Sequence, residues 1–595
     1  MNEAARLLRR AIADPGAWPD SVSPLLRRVY AARGAIAIEQ AQPRLAQLLP
    51  PDGLSGLDAA TTLLADAIAG DRHIVVVGDF DCDGATACAV GVRGLRMLGA
   101  RRVSHAVPNR MVHGYGLSPA LVAELAALQP DLLVTVDHGI ACHAGIAAAK
   151  ARGWQVLVTD HHLPGETLPP ADAIVDPNLP GDAFPSKALA GVGVMFYVLL
   201  ALRRVLRQQG RCEGNGPDLQ VLLDLVAVGT VADLVPLDAN NRALVAAGLR
   251  RLRAGQGGAG LRALIEVSQR DERRLTASDI GYALAPRLNA AGRLEDMALG
   301  IECLLTEDPG QAREIAHSLN EINAERRAVQ QQMTDEAALA FAKVALDSVH
   351  APLAVCLFDE DWHPGVVGLV ASKMKERLHR PVIAFAPAEP GSDALRGSAR
   401  SIPGFHIRDA LADVAARHPE LIERFGGHAM AAGLSLRRDA LEAFRAAFER
   451  CAGAMLTPEL LQADVLSDGE LDAGEFDRAS AESLRDGGPW GQGFPEPTFH
   501  VNSEVLSFRV LGEKHLKLVL RVEGRAEPLN AIQFNGWDGV PPPKHILVAF
   551  KLEPDDYRGG EAIQLNIVYR RSSPPPEGPV LVPSTANSPK PSGGW

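Results

Sequence analysis

Three short acidic or acidic–histidine segments are the strongest candidates for catalytic chemistry, and each follows a predicted strand. They are GDFDCDG (78–84), VDHG (136–139) and TDHH (159–162). In an open α/β sheet the ligand site lies beyond the carboxyl ends of the strands, so these segments would converge. Carboxylates brought so close together repel one another unless cations lie between them. Oxygen and imidazole ligands without thiolates favour Mn²⁺ or Mg²⁺ over Zn²⁺. The three segments together therefore predict a divalent-metal site.

Each segment taken alone has a simpler interpretation. A D-x-D-G segment is often a plain turn, an Asp-His-His segment can be a solvated loop, and Asp137 can cap the following helix. Their occurrence at three successive strand ends favours the metal site. A further carboxylate lies in the apolar segment 224–233, where Asp224 and Asp233 are alternative candidates. Cys82 is not predicted to be a nucleophile, because acidic neighbours raise the pKa of a thiol.

The elements that must position these segments alternate between strand and helix. The strand candidates are residues 73–77, 103–107, 132–136, 155–159 and 173–175. Helical segments separate them, which is typical of a mostly parallel sheet covered on both faces. Residues 187–250 are predicted to be mainly helical.

Six regions follow from the change of pattern along the chain. A helical segment (1–70) is expected to pack on an α/β domain with a parallel sheet (71–300), and a connecting helix (301–347) leads to a second α/β domain (348–455). An all-β barrel of the OB type (456–571) follows, with strand candidates at 504–511, 515–522, 529–534, 545–552 and 562–569. The tail (572–595) is rich in Pro, Ser and Gly and is predicted to be disordered.

Composition narrows the class of protein. The 595 residues suggest about three or four domains. No apolar run is long enough for a membrane span, and no secretory signal is expected at the N-terminus. The seven scattered cysteines argue against a disulfide framework and predict a cytoplasmic protein. The net charge of −12 does not exclude nucleic acid, because a local basic groove is what such binding requires.

Longer strings around these segments resemble a known family. VVVGDFDCDGATA (75–87), TVDHGI (135–140) and VTDHHLPG (158–165) resemble the DHH phosphoesterase superfamily. Further strings resemble its RecJ family of bacterial single-strand-specific 5′→3′ exonucleases: PNRMVHGYGLS (108–118), GTVADLVPL (229–237), PRLNAAGRL (286–294), HPGVVGLVASK (363–373), GSARS (397–401) and FGGHAMAAG (425–433). The resemblance implies a DHH domain, a linking helix, a DHHA1 domain and an OB-fold.

The resemblance also implies a two-metal centre that uses Mn²⁺ or Mg²⁺. The implied metal ligands are Asp81, Asp83, Asp137, His161 and Asp233. The implied catalytic residues are Asp160, His162 and His428. Asp160 would orient His161, and His162 would contact the scissile phosphate or carry a proton. Asp79 is a less certain ligand. In some DHH relatives a histidine stands about four residues before the first ligand aspartate, and here Val77 occupies that place. The occupancy of one metal position therefore stays open.

A second implied set of residues binds the strand. It consists of Arg110, Arg287, Asn289, Arg293, Ser398, Arg400, Gly426 and Gly427. In the barrel, Lys514, His515 and Lys517 are basic candidates, and Phe534, Trp537 and Tyr557 are candidate stacking platforms. Simpler interpretations are surface ion pairs for the arginines, a packed structural histidine for His428, and core positions for the aromatic residues.

The function implied is a single-strand-specific 5′→3′ exonuclease that releases 5′-mononucleotides during recombination and repair. The expected partner is single-stranded DNA with a 5′ end, and the family implies single-strand-binding protein and a repair helicase. A monomer without membrane contact is expected. One alternative is a phosphodiesterase for oligonucleotides or cyclic dinucleotides, which the predicted barrel disfavours. Another is a non-catalytic DNA-binding scaffold, which is disfavoured because all required acidic and histidine residues except the one at Val77 are present.

Overall fold

The computed structural model describes residues 5–110, 112–347, 352–572 and 580–582. The strands in these residues are β1 (Arg6–Arg10), β2 (Ile74–Val77), β3 (Val103–Ala106), β4 (Leu132–Val136), β5 (Gln155–Thr159), β6 (Ala173–Val175), β7 (Val355–Phe358), β8 (Val382–Pro387), β9 (Ala394–Arg400), β10 (Arg424–Gly427), β11 (Ala431–Arg437), β12 (Asp464–Ser467), β13 (Phe499–Leu511), β14 (His515–Val522), β15 (Leu529–Gln533), β16 (His545–Pro554), β17 (Ile563–Ser572) and β18 (Val580–Val582).

The helices connect these strands and cover the sheets. They are α1 (Pro24–Ala31), α2 (Ile38–Ala41), α3 (Leu57–Ala69), α4 (Cys82–Met97), α5 (Pro119–Leu125), α6 (His143–Ala151), α7 (Gly191–Gln208), α8 (Leu223–Ala232), α9 (Ala239–Arg253), α10 (Ala259–Val267), α11 (Ala277–Asp279), α12 (Ala285–Leu294), α13 (Ala298–Leu305), α14 (Pro309–Asp347), α15 (Val367–Leu378), α16 (Ile407–Arg417), α17 (Leu441–Met455) and α18 (Arg478–Asp486). The described part of the chain contains no helix that is both long and apolar enough to cross a membrane.

The chain divides into two compact units. Among the described residues, the first unit contains 12–323 and 477–497, and the second contains 5–11, 324–476 and 498–582. The helix α14 begins in the first unit and continues into the second. The predicted connecting helix is thus confirmed in its main part, but it begins at Pro309 rather than at residue 301, after a separate helix α13. The Asp308 carboxylate accepts hydrogen bonds from Gly310 N and Gln311 N and so starts the new helix.

The first unit is built on a parallel sheet in the order β3-β2-β4-β5-β6. The predicted strands are confirmed, three of them with identical bounds. The middle strands β2 and β4 are buried along their whole length, which explains their continuous apolar sequences. The chain runs from β2 outward to β3 and returns to β4 on the other side of β2. The topological switch point therefore lies between the carboxyl ends of β2 and β4, where open α/β folds bind their ligands.

The second unit contains a mixed sheet and a closed barrel. The sheet has the order β10-β11-β9-β8-β7, in which β7 and β8 are parallel and the remaining pairs antiparallel. The barrel has the order β13-β14-β15-β17-β16. Its strands alternate between buried and more exposed residues, with Leu516, Leu518 and Leu520 inside. Both features confirm the predicted fold class, and all five predicted barrel strands are present.

The two ends of the described chain differ from prediction. The segment 1–70 was expected to be helical, but β1 lies within it and pairs in parallel with β12 and β18. Ala5 and Leu7 pack against the barrel residues Leu547, Ala549 and Tyr569. A short strand whose partners lie more than 450 residues away leaves no periodic signature, which is why the prediction was wrong here.

The predicted disordered tail is also corrected in part. Residues 580–582 form the strand β18, whereas a disordered segment was expected from residue 572. The remainder of that predicted tail, residues 573–579 and 583–595, lies outside the described residues.

Candidate active site

The turn after β2 places the first acidic cluster at the switch point of the sheet. Asp81 caps α4, and its Oδ1 accepts a hydrogen bond of 3.0 Å from Gly84 N. Asp79 and Asp83 are buried. A Cβ at Gly84 would lie 2.5 Å from Asp79 N, so the turn closes on itself too tightly for any other residue.

The second cluster follows β4 and carries Asp137 in a strained conformation. Its φ is 64°, in the left-handed region that non-glycine residues rarely adopt. The adjacent His138 is buried, and its Nε2 lies 3.0 Å from the carbonyl oxygen of Val77, at the end of β2. His138 thereby ties the two strand ends together, and the strain at Asp137 is held by its surroundings, as is common at functional sites.

The third cluster follows β5 and separates the roles of its two histidines. Asp160 is buried and accepts hydrogen bonds from Ile140 N and His161 N at 2.9 Å and 2.8 Å. The Asp160 Oδ1 also lies 2.7 Å from His162 Nδ1. Asp160 therefore shapes the turn and holds His162, whereas the sequence prediction had it orient His161. The His161 backbone is also held by Asn178, whose Nδ2 donates to the His161 carbonyl oxygen at 2.6 Å.

The structure distinguishes the two aspartates of α8. Asp233 lies at the carboxyl end of the helix, with Oδ2 3.6 Å from His161 Nε2. Asp224 lies in the first turn and accepts hydrogen bonds from Leu225 N and Gly258 N, both at 2.8 Å. Asp233 can serve the metal centre, whereas both Asp224 oxygens are occupied by backbone donors. Of the two alternatives, the geometry favours Asp233.

Three overlapping groups of side chains offer metal-ligating atoms within 4.8 Å of one another. They are Asp79, Asp81 and Asp137; Asp83, His161 and Asp233; and Asp137, His161 and His162. Among the described residues the buried atoms Asp79 Oδ1, Asp137 Oδ1 and His161 Nε2 make no hydrogen bond, although Asp137 Oδ1 and His161 Nε2 lie 3.1 Å apart. Leaving such atoms unsatisfied is costly, and a divalent cation would satisfy them. The residues present therefore fit the predicted metal centre and bring Asp79 into it.

Burial and mutual repulsion set the charge state of the carboxylates without metal. Burial, together with the neighbouring Asp81, raises the pKa of Asp83 to about 7. Burial and Asp83 likewise raise the pKa of Asp137 and of Asp233 well above the ordinary range. Such carboxyls hold protons until cations replace them, so metal binding releases protons.

The histidines are shifted in opposite directions. Burial and the neighbouring His162 lower the pKa of His161 to about 4, so the ring is neutral and can act as a ligand. Burial also opposes charge on His162, but the hydrogen bond with Asp160 outweighs it and raises the pKa of His162 to about 9. Although burial opposes ionisation of Asp160, the same hydrogen bond lowers its pKa. His162 is therefore protonated near neutral pH, which suits a phosphate contact.

The residues that sequence reasoning missed are backbone donors and glycines around Asp83. Gly191 N and Val192 N, at the start of α7, donate to the two Asp83 oxygens at 2.7 Å and 3.1 Å. A Cβ at Gly191 would lie 2.5 Å from Asp137 Cβ, and one at Gly229 would lie 2.8 Å from Asp83 Oδ1. The start of α7 therefore positions both central aspartates.

An aromatic wall beside the turn was also not predicted from sequence. The Tyr115 ring lies edge-on to Phe80 and to His162, with centroids 6.0 Å and 6.1 Å apart. The Arg110 guanidinium lies over the Phe80 ring, 3.9 Å from its centroid. Burial and the neighbouring Asp81 raise the pKa of Asp79 well above its ordinary value, and the charge of Arg110 opposes that shift. Arg110 is thus placed beside the acidic cluster, and its contact with substrate stays a prediction.

The helix α12 supports the acidic turn. Asn289 Oδ1 accepts a hydrogen bond of 2.9 Å from Cys82 N, and a Cβ at Gly292 would lie 1.8 Å from the Phe80 carbonyl oxygen. Arg287 donates to Asn320 Oδ1 and to the Ala283 carbonyl at 3.1 Å and 2.6 Å. Arg293 is half-buried in the last turn. The structure thus gives Asn289 and Arg287 supporting contacts within the protein, whereas the resemblance implied that they bind the strand.

The remaining predicted residues lie in the second unit. Ser398 and Arg400 lie on β9, where Arg400 Nη1 donates to Ser398 Oγ at 3.0 Å. A Cβ at Gly368, in the first turn of α15, would lie 2.9 Å from Ser398 Oγ and 3.0 Å from Arg400 Nη2. Gly426 and Gly427 end the exposed strand β10, and the following residue, His428, is exposed rather than packed in the core. The simpler structural interpretation of His428 is therefore not supported.

The barrel carries the predicted aromatic candidates on its surface. Phe508 is 42% exposed and stacks on Trp537 at a centroid distance of 6.1 Å. Phe534 is 56% exposed and lies edge-on to His515. Tyr557 is fully exposed. Of the basic candidates, Lys514 lies in the turn between β13 and β14, and Lys517 lies on β14. Phe534, Trp537 and Tyr557 are therefore available for stacking rather than committed to the core.

The metal-free protein should lose stability as the pH rises from about 5.5 to about 7.5. Asp83 has a folded-state pKa of about 7, above the ordinary value of 3.8, so the folded chain binds the extra proton and the free energy of unfolding falls until that proton is lost. Mn²⁺ at about 100 times its Kd should raise the free energy of unfolding by about 2.7 kcal/mol at the higher pH. The gain should be smaller at the lower pH, because protons compete with the metal for the carboxylates. Thermal unfolding with and without Mn²⁺ at both pH values measures this.

The variant Asp83→Asn is the control for this pH dependence. It removes the titrating group but leaves His162, whose pKa of about 9 also makes stability fall as the pH rises above about 6.5. Its metal-free unfolding temperature should therefore depend less on pH than that of the wild type. Equal pH dependence in the two proteins would contradict the assignment of Asp83 as the titrating carboxyl.

Three family models match successive parts of the chain. The DHH family, N-terminal domain, matches residues 73–230, the DHHA1 domain matches residues 350–454, and the RecJ OB domain matches residues 467–569. The first two matches cover the sheets of the two units, and the third covers the barrel. The order of the three agrees with the order of domains that the sequence strings implied.

Curated relatives match over nearly the whole chain. The single-stranded-DNA-specific exonuclease RecJ of Dickeya dadantii is 49% identical, over 96% of this chain and 99% of that protein. The protein of the same name from Escherichia coli is 46% identical, over 95% and 99%. That of Thermus thermophilus is 34% identical, over 91% of this chain and 76% of the relative.

Solved structures agree with the sequence comparison. The crystal structure of RecJ from Thermus thermophilus in complex with Mn²⁺ superposes with a TM-score of 0.79 at 31% identity, covering 98% of this chain and 81% of that chain. A structure of exonuclease RecJ bound to manganese gives a TM-score of 0.57 at 36% identity, covering 69% and 97%. A Mg²⁺ complex of the Thermus protein is also similar, with a TM-score of 0.74.

Proposed function

The chain belongs to the RecJ family, and from this premise we propose that it is a metal-dependent single-stranded-DNA-specific exonuclease that starts at a 5′ end and releases 5′-mononucleotides. One observation carries the proposal. Aspartates from the ends of β2 and β4 meet a neutral histidine from the end of β5, with Asp137 Oδ1 3.1 Å from His161 Nε2, and the buried Asp79 Oδ1 there has no hydrogen-bond partner among the described residues. That arrangement suits a pair of divalent cations and therefore phosphodiester hydrolysis.

The residues assigned to hold Mn²⁺ or Mg²⁺ are Asp81, Asp83, Asp137, His161 and Asp233, with Asp79 as an additional candidate. Two cations bound there would lower the pKa of a water and stabilise both oxygens of an in-line displacement. The protein fixes the ligands in advance: Asp83 by the start of α7, Asp81 by its cap on α4, and Asp137 by its strained backbone. Such positioning reduces the reorganisation that the reaction would otherwise require.

His162 is assigned to the scissile phosphate. Its imidazole is protonated near neutral pH because Asp160 accepts a hydrogen bond from Nδ1. The opposite nitrogen, Nε2, can then donate a hydrogen bond to a phosphate oxygen or give its proton to the leaving 3′ oxygen. Tyr115, edge-on to the His162 ring, limits the orientations open to it.

The second unit supplies candidate contacts for the strand. Ser398 and Arg400 combine a hydroxyl and a guanidinium beside the first turn of α15, a combination suited to a terminal 5′ phosphate. Gly426, Gly427 and the exposed His428 are assigned to a phosphate group of the substrate. The aromatic residues Phe534 and Trp537, with Lys514 and Lys517, are assigned to the downstream strand.

The cellular setting follows from the proposed substrate. Single-stranded DNA with a 5′ end arises in the cytoplasm during recombination and repair, and the cysteines in the structure are free thiols, as a reducing compartment maintains them. We assign single-strand-binding protein and a repair helicase as the partners that present such strands. A monomer is sufficient for the reaction, because one chain carries the whole metal centre.

Degradation of end-labelled strands tests the proposed function. With Mn²⁺, a 5′-labelled oligonucleotide should release labelled mononucleotide at once, and a 3′-labelled one should give a shortening ladder. EDTA should stop both. A shortening ladder from the 5′ label would show that degradation starts at the 3′ end instead. Intact long strands beside cleaved dinucleotides would favour the alternative of a short-oligonucleotide phosphodiesterase.

Arg400→Ala should weaken the use of 5′-phosphorylated strands. The loss of charge-assisted hydrogen bonds worth about 1.5–3 kcal/mol should raise KM by roughly 10- to 100-fold. Strands with a 5′ hydroxyl should be affected much less. Steady-state kinetics on the two strands measures the ratio. Arg396→Ala is the matched control, because Arg396 is exposed on the same strand and the same face but further from α15. An equal loss in both variants would argue against a phosphate contact at Arg400.

A further inference from the structure

A solvent-open cavity of about 320 Å³ lies in the first unit, and none of its lining residues is a candidate metal ligand. Four arginines line it: Arg44 from the segment between α2 and α3, Arg250 and Arg253 from α9, and Arg485 from α18. The other lining side chains include the apolar Leu249, Pro489 and Trp490. Neither the family resemblance nor the proposed nuclease reaction assigns a role to this cavity.

The charges of the cavity do not cancel. Its two acidic residues are Asp486, which accepts hydrogen bonds from Arg485 at 2.9 Å and 3.2 Å, and Glu496, which accepts one from Ser278 at 2.6 Å. Four arginines against two acids leave a net charge of +2, in a chain whose total is −12. Such a local excess of positive charge is a specific feature of this concave surface and not an average property of the protein.

One guanidinium of the cavity is fixed by a backbone contact. Arg253 Nε donates to the Leu275 carbonyl at 2.7 Å, which holds the half-buried guanidinium at the cavity wall. Burial lowers the pKa of Arg253; Asp486 opposes that shift, and the charge of Arg485 adds to it. Positive charges that line one cavity repel, and an anion bound among them would relieve that repulsion.

We propose that this cavity binds a phosphate monoester such as a 5′-mononucleotide. A guanidinium presents a planar fork that matches two phosphate oxygens, and several forks around one cavity select phosphate over a simple halide. A monoester carries a charge of about −2 near pH 7, equal and opposite to that of the lining, whereas each phosphodiester of a DNA strand carries one negative charge. The volume lies at the lower end of the roughly 300–1,000 Å³ typical of small-molecule sites, and its apolar wall suits the rest of a mononucleotide.

Calorimetric titration of the metal-free protein with 5′-dAMP tests the proposal without depending on nuclease activity. Divalent metal is removed so that cations cannot recruit phosphate at the candidate active site, and a parallel titration of Arg400→Ala removes the proposed 5′-phosphate contact in the second unit. Wild type should bind dAMP, inorganic phosphate should compete, and deoxyadenosine at the same ionic strength should not bind. Arg250→Glu and Arg44→Glu each reverse an exposed charge and should weaken dAMP binding at least about tenfold, while nuclease activity on long strands stays unchanged.

Arg273→Glu is the control for the change in total charge, because this exposed arginine lies in the same unit but does not line the cavity. It should bind dAMP as the wild type does. Equal dAMP affinity in wild type and both cavity variants would overturn the proposal, as would equal binding of deoxyadenosine. If a hexa-aspartate peptide bound more tightly than dAMP, the proposal of a phosphate monoester would be wrong, and an acidic peptide would be the ligand of the cavity.

Discussion

Asp83→Ala should abolish metal-dependent degradation of single-stranded DNA, with a fall in kcat of at least about 1,000-fold. Asp83 is the buried carboxylate to which the start of α7 donates two backbone hydrogen bonds, and it shares a potential ligand group with His161 and Asp233. A metal ion that stabilises charge in the transition state contributes several kcal/mol, and each 1.36 kcal/mol corresponds to a factor of ten in rate. Single-turnover assays in Mn²⁺, with calorimetric titration of Mn²⁺, measure the loss of activity and of metal binding separately.

Asp224→Asn is the matched control for that loss. Asp224 is equally buried and lies on the same helix as Asp233, but its oxygens accept hydrogen bonds from Leu225 N and Gly258 N. The side-chain amide of the new asparagine would place an NH₂ group where one carboxylate oxygen accepted a hydrogen bond, so that two donors would face each other. This should cost about 1–3 kcal/mol of folding stability. Activity and Mn²⁺ affinity should remain close to wild type. If Asp224→Asn lost metal binding while Asp83→Ala kept it, the assignment of the metal centre would be wrong.

The sequence predicted that the acidic and histidine segments converge, because side-chain chemistry and strand ends coincide there. The bounds of β4, β5 and β6 were predicted without error, and the residues that follow β4 and β5 carry the carboxylates and imidazoles. A buried parallel strand is a short apolar run, and the polar residues after it mark the carboxyl edge of the sheet. These two local features were sufficient to bring Asp83, Asp137 and His161 together.

Contacts that depend on backbone atoms or on distant partners could not be predicted in this way. The donors to Asp83 are the backbone N–H groups of Gly191 and Val192, and almost any residue type carries such a group. The strand β1 pairs with segments more than 450 residues away, and its five residues contain no pattern that distinguishes it from a helix. The hydrogen bond from Cys82 N to Asn289 Oδ1 depends on how α12 is placed against the acidic turn, and the substrate contact predicted for Asn289 stays a prediction.

Gly191→Ala should disturb two candidate metal ligands with a single methyl group. The new Cβ would lie 2.5 Å from Asp137 Cβ and 2.7 Å from both Asp137 Cα and Oδ1. Asp137 cannot easily yield, because its backbone already has a φ of 64° and its neighbour His138 is buried against β2. The start of α7 would therefore have to move, and that movement lengthens the hydrogen bonds that hold Asp83. Overpacking of this kind costs typically about 1–3 kcal/mol in stability.

The effect on catalysis should exceed the effect on stability, because one methyl group displaces two carboxylates that act on the same metal pair. We expect kcat to fall roughly 100-fold, since small displacements of catalytic groups have effects of that size. Gly193→Ala, two residues further along the same helix turn, would place its Cβ 3.2 Å from the end of the flexible Leu189 side chain and should retain activity. Thermal unfolding and Mn²⁺ titration of both variants separate the two effects. Full activity in Gly191→Ala would show that Asp137 can shift without consequence, and that its placement by α7 is not needed for the reaction.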